Sequence, residues 1–141
     1  MKKLVWWFRC VGAFYFLLSL VNLYSVLSGD GSWFKSTIPY PAEDLVVRAF
    51  MEGWSPFAFE ILGLGTFMLW ASRNPGRYLG SVWLIVWLEF WHGVADDIYL
   101  ISHGYDLVGY LVFIAIHFLI IVTGVLFVRE AEREKVAALG Q

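Results

Sequence analysis

Apolar residues run almost unbroken through four stretches of the chain, residues 4–27, 46–71, 78–101 and 107–128. Each exceeds the roughly 20 residues that an α-helix needs to cross a bilayer. Between them lie segments rich in turn formers: Ser28-Gly29-Asp30-Gly31-Ser32 followed by Pro39 and Pro41, then Ser72-Arg73-Asn74-Pro75-Gly76-Arg77, then Ser102-His103-Gly104-Tyr105. Backbone amides find no water in hydrocarbon, so a spanning segment is either a helix or a strand of a closed barrel. Runs this long, without alternation of period two, argue against strands. The pattern predicts an all-α polytopic membrane protein, a single four-helix transmembrane bundle over residues 1–141.

The second stretch is the least regular. Pro41-Ala42-Glu43-Asp44 ahead of it has the form of a helix start, with proline at the first position and acids in the first turn. Trp54-Ser55-Pro56 then interrupts it. A proline inside a helix frees a carbonyl in the preceding turn, which predicts a kink near Pro56 and a polar surrounding to serve that carbonyl. The first stretch follows Met1-Lys2-Lys3 in the manner of a signal peptide, but it is longer than the roughly 7–15 residues of a signal core and contains Arg9 and Asn22. It is expected to remain as a helix.

Composition strengthens the membrane reading: 60% of residues are hydrophobic and 16% charged, with a mean hydropathy of +0.66, where soluble domains carry about 25% charged residues. Ten Lys+Arg against twelve Asp+Glu, with no long basic run, leave nothing to neutralise phosphates, so nucleic-acid binding is excluded. The single Cys10 forms no internal disulfide, and zinc-type Cys/His spacings are absent. The basic residues divide unevenly. Lys2, Lys3, Arg9, Arg73, Arg77, Arg129, Arg133 and Lys135 fall on one side of a four-span fold, and only Lys35 and Arg48 on the other. Both termini are therefore expected in the cytoplasm. The mixed charges of residues 129–135 read as a solvated helix end.

Ionisable groups inside spans cost about 2.5–3.5 kcal/mol at a helix centre, so their positions are the most informative feature of the chain. Wound at 3.6 residues per turn, Ser81, Glu89, His92, Asp96 and Tyr99 fall within about 80° of one another on the third helix. Trp83 and Trp87 point to the opposite side, where lipid or another subunit would meet them. Asp106, Tyr110, His117 and Gly124 fall within about 40° on the fourth. The first helix offers Tyr15, Ser19 and Asn22, and the second Glu60 on a face with Gly53, Pro56 and Gly63. Glu60 and Glu89 are symmetric about the connection near residue 75, and His92 and His117 about the one near 104, which puts all four near mid-membrane. Glu52, Asp96 and Asp97 belong to an outer layer, with Arg48 one turn further out.

The plainer reading of Tyr15, Ser19, Asn22, Tyr99 and Tyr110 is hydrogen bonding between helices. Arg9 reads as a snorkelling residue, Arg48 with Glu52 or Asp97 as an interfacial ion pair, His103 as a solvated loop residue, and Gly63, Gly65 and Gly80 as packing positions. For Glu60, Glu89, His92 and His117, with Tyr15 and Asp96 beside them, four readings stay open. They are a site for protons or a small hydrophobic ligand, a structural network, a mononuclear metal site, and haem. Carboxylates and imidazoles sharing a low-dielectric interior are groups that exchange protons near neutrality. Glu89-Phe90-Trp91-His92 is an ExxH spacing, as in di-iron bundles, so Glu89, His92 and His117 are the metal candidates, although the remaining di-iron ligands are missing. Haem b would take His92 and His117 as axial ligands. The expectation is that no cofactor is bound, with a metal ion or haem b as the alternatives. Ser55 and Ser81 lack a base and an oxyanion motif, and Gly63-Leu64-Gly65 is no phosphate loop, so no enzyme activity is indicated.

Trp7-Phe8-Arg9-Cys10-Val11-Gly12-Ala13-Phe14-Tyr15, Asn22-Leu23 and His92-Gly93-Val94-Ala95-Asp96-Asp97 resemble small four-helix bacterial membrane proteins of the BphX-like type, similar in shape to DoxX-like proteins. The resemblance implies a bacterial inner-membrane protein, of a kind sometimes encoded beside aromatic-compound degradation or redox genes, and carries over no catalytic residue. Taken together, the expectation is a small integral membrane protein that binds or moves a small hydrophobic molecule or protons. The alternatives are a structural or accessory subunit of a membrane complex and a metal or haem redox protein. Its partners would be the bilayer, a hydrophobic ligand, and either further copies of itself or a larger complex.

Overall fold

The protein, seen here in a computed structural model that describes residues 1–139, is all-α, with no strand among the described residues. Helix α1, Lys2–Ser28, ends at Gly29, whose φ of 74° is the left-handed conformation that glycine adopts at a helix end. A short helix α2, Ser32–Thr37, follows. The Ser32 N–H donates to Asp30 at 3.0 Å, and hydrogen bonding from Ser32 holds the Asp30 carboxyl below its usual range. Helix α3, Asp44–Ala71, leads through a 3-10 turn, Pro75–Arg77, into α4, Leu79–Leu88. The chain then winds as a π-helix over Glu89–Ala95 and returns to α-helix as α5, Asp96–Ser102, so α4, the π segment and α5 form one rod. Helix α6, Leu107–Leu139, completes the fold. Helices α1 and α6 are each long and apolar enough to cross a membrane.

Two sequence expectations change. Helix α3 begins at Asp44 rather than at the proline, so Pro41 lies ahead of the helix. It also runs as one helix through Pro56, and the carbonyl that Pro56 deprives of its amide, that of Glu52, accepts the Ser55 hydroxyl at 2.8 Å. The neighbouring serine serves the carbonyl, and no polar interior is needed. Helix α6 likewise continues past its apolar run, because Glu130, Glu132 and Glu134 find partners. Lys3 meets Glu130 at 2.9 Å, the Met1 ammonium meets Glu134 at 3.0 Å, and the Trp83 indole donates to Glu132 at 3.3 Å. The charged tail thus clamps the start of α1 as well as facing solvent.

Helix α1 is central. Against α3 it packs backbone to backbone: a Cβ on Gly65 would stand 2.6 Å from the Phe16 nitrogen, and one on Gly12 3.0 Å from the Leu69 nitrogen. Small residues permit this approach, and dispersion contacts between the two backbones then add to the packing. Further along, the Trp54 indole donates to Asn22 at 2.9 Å while the Asn22 amide donates to the Leu18 carbonyl at 2.8 Å. Against α6, the Trp7 ring lies over Gly124, where a Cβ would come within 2.9 Å of it, and its indole N–H donates to the Ile120 carbonyl at 3.3 Å. Leu4, Phe8, Val82, Ile85 and Val128 fill the space between α1, α4 and α6. At the far end, Phe34 plugs a cluster with Val47 and Met51, and Tyr40 hydrogen-bonds Tyr105 at 3.4 Å, joining the 38–43 and 103–106 loops.

Candidate functional site

Three elements converge on one buried carboxylate. Glu89, 2% exposed, is the first residue of the π segment. One of its oxygens accepts the hydroxyl of Tyr15 from α1, and the other faces His117 Nδ1 of α6 at 2.6 Å. On the other side of the imidazole, Nε2 lies 3.5 Å from Asp97 Oδ2 on α5. That is ion-pair range but too long for a hydrogen bond, and Asp97 Oδ2 has no hydrogen-bond partner although Asp97 is 6% exposed. The four groups form one line, Tyr15–Glu89–His117–Asp97, through three helices.

The π segment explains which residues join the line. A π turn takes up one extra residue, which rotates everything beyond it by about 100° relative to an α-helix. An uninterrupted α-helix would align Glu89, His92 and Asp96. The buried positions are instead Val82, Ile85, Glu89, Gly93, Val94 and Asp97. Gly93 is required there, because a Cβ would come within 2.5 Å of His117 Nδ1 and 2.8 Å of Cδ2. The glycine lets the rod's backbone lie directly against the imidazole.

Of the candidates named from the sequence, the structure brings Tyr15, Glu89 and His117 together and leaves Glu60, His92 and Asp96 exposed. Glu60 lies on the side of α3 turned away from α1, so it does not point into the bundle. Asp97, assigned to an outer layer, is the fourth member. Gly93 and the π turn were missed; the glycine inside an otherwise bulky run signalled a close approach there, while nothing in the sequence signalled the surplus residue. Ser19 donates to its own helix at Phe16, 2.7 Å away, and Asn22 bridges to Trp54. Arg48 pairs with Glu52 at 3.0 Å and not with Asp97. Gly65 is a packing position, whereas Gly63 and Gly80 face open space. His103 is exposed and stacks on Tyr99, ring centroids 4.1 Å apart.

The metal and haem readings depended on His92. With His92 outside, Glu89 and His92 do not converge, and His92 and His117 do not face one another. Among the described residues no group of three His, Cys, Asp or Glu side chains is arranged to hold a metal ion. Two cavities, of about 680 Å³ beside Arg48 and Glu52 and about 550 Å³ beside Arg9 and Arg73, are lined by none of the four residues of the line.

What the line does chemically follows from its atoms. Glu89 accepts the Tyr15 hydroxyl on one oxygen and shares a hydrogen bond with His117 Nδ1 on the other, whose direction follows the imidazole tautomer. The imidazole can donate to both carboxylates at once only as imidazolium. A proton arriving at Nε2 from the Asp97 side and one leaving Nδ1 toward Glu89 would change only the tautomer of His117.

A family profile described as BphX-like matches residues 1–133, which takes in every member of the line. No curated protein sequence and no solved structure shows significant similarity to the chain. With the match extending over nearly all of its length, the chain belongs to the BphX-like family.

Proposed function

We propose that the protein is a four-span bacterial inner-membrane protein whose Glu89–His117–Asp97 line holds and exchanges a proton in the membrane interior. The observation that carries this reading is one imidazole set between two buried carboxylates, with a tyrosine hydroxyl closing the far end. Intramembrane ionisable residues are expensive and mark proton or ion pathways. Four spans are supported by length and surface. Helix α3 is 28 residues long, and the rod from Leu79 to Ser102 measures about 36 Å at 1.5 Å per residue. Both present large apolar side chains outward, among them Leu45, Phe59, Trp70, Trp87, Trp91 and Ile98, a surface suited to lipid and not to water. The Lys/Arg bias supports cytoplasmic termini.

The test is pH-difference infrared spectroscopy of the protein in lipid. A carboxyl band and an imidazole band should titrate together, and both should vanish in Glu89→Gln. A line that serves only to tie helices would show no coupled titration in the folded protein, and that result would sink the proposal. Proton flux into dye-loaded proteoliposomes then separates a site that stores protons from one that passes them.

A further inference from the structure

In the apolar part of the molecule Glu60 has no described partner, and His92 has only the charge of Asp96 further along its own rod. Glu60 sits on the outer face of α3 with Pro56 and Gly63, opposite Ala58, Ile61, Gly65 and Met68, which face α1. Gly53 and Gly63 have nothing within 4 Å of an added Cβ, so this face is open on either side of Glu60. His92 is exposed on the rod beside Trp87 and Trp91, whose rings stand 6.0 Å apart and are 62% and 52% exposed. One face is small and acidic, the other bulky and carries the imidazole.

Their depths agree. Glu60 precedes the end of α3 at Ala71 by eleven residues, and His92 follows the start of α4 at Leu79 by thirteen, both measured from the same turn. The difference amounts to about 3 Å. Subunits related by rotation about the membrane normal keep their depths, so only groups at one level can meet across such an interface. A carboxylate left against lipid is costly, and a partner at the same depth offsets that cost.

We infer that copies of this chain associate side by side in the membrane, with the Gly53–Glu60–Gly63 face of α3 receiving the Trp87–Trp91–His92 face of the next copy and Glu60 pairing with His92. The two faces differ, so the contact is heterologous and closes as a ring when the rotation permits. Small residues on one helix accepting large ones from another is the packing that membrane helices use. The inference rests on the four-span reading, because α3 must lie within the bilayer.

Cysteine crosslinking in native membranes tests it, using full-length chains with Cys10→Ser. One tagged copy carries Gly63→Cys, a substitution into open space, and a differently tagged copy carries Trp91→Cys. A mixed-tag disulfide should form and exceed the Gly63→Cys and Trp91→Cys self-pairs. Dominant self-pairs, or no disulfide, would overturn the interface. An impermeant aqueous maleimide applied to opened membranes in parallel tells the two readings apart. Labelling of Gly63→Cys would mean that α3 is not in the bilayer, whereas absence of both label and disulfide would fault the interface alone. In proteoliposomes, Glu60→Gln and His92→Ala should each weaken self-association about tenfold, and Glu60→His combined with His92→Glu should recover most of it. A chain that is monomeric at every protein-to-lipid ratio, or whose association ignores these changes, refutes the inference.

Discussion

The α1–α3 contact and the α1–rod–α6 contact hold the same central helix by opposite means. At the first, Gly12 and Gly65 bring two backbones together, and the polar groups nearby, Asn22, Trp54 and Ser55, are satisfied by one another or by their own helices. At the second, a glycine again makes room, but what it admits is the ring of His117 between two carboxylates. The first contact carries no exchangeable charge and works by shape. The second carries the buried carboxylates Glu89 and Asp97, so it is the half in which the proposed proton exchange would be linked to packing.

The largest way to break this contrast is Glu89→Ala. It strands the His117 ring and the Tyr15 hydroxyl, and breaking a buried pair from one side costs roughly 3–5 kcal/mol. Unfolding of the detergent-solubilised protein should register that loss, and a change below about 1 kcal/mol would mean the line is not a cohesive element. Glycine substitutions come next. Gly65→Ala and Gly93→Ala each force a methyl into occupied space and should cost about 1–3 kcal/mol, yet only Gly93→Ala should alter the infrared titration. Equal spectra from the two variants would erase the distinction between the halves.

Smaller effects sharpen the picture. Ser55→Ala leaves the Glu52 carbonyl without its hydroxyl donor and should cost about 0.5–1.5 kcal/mol in the same assay, with the polar line untouched. At the loop end, the Tyr105 hydroxyl is pushed up to about 12, first by its hydrogen bond to Tyr40 and then by burial. A tyrosine whose proton is held more tightly when folded contributes stability below its ordinary range, near 10, and loses it as pH rises toward 12. Tyr40→Phe should lower the Tyr105 transition in an ultraviolet titration, with little change in stability. An unmoved transition would remove that hydrogen bond as its cause.

The helices were legible because long apolar runs without period-two alternation, set between turn formers, leave little choice but helix. Glu89 and His117 were legible because depth along antiparallel helices can be counted from their connections. Direction was not. Periodicity tells which residues share a face but not what that face meets, so Glu60 was placed inside on depth alone, while α3 in fact spends its inner face on Gly12 and Phe16. The π segment defeated the counting differently, since an assumption of 3.6 residues per turn has no means of detecting one surplus residue. The partners of the charged end of α6 were hidden because two of them, Met1 and Lys3, lie more than a hundred positions away in the chain.

That surplus residue makes the rod unusual in how it would tolerate changes of chain length. Deleting an outward-facing residue such as Phe90 would let Glu89–Ala95 relax into an ordinary α-helix, with Asp97 still aimed at His117 and the loop beyond Ser102 still in place. The same deletion in the middle of α1 or α6 would swing every following side chain by about 100° and scatter the contacts they make. The stretch that carries the chemistry is thus the one place among the long helices where the molecule holds a residue in reserve.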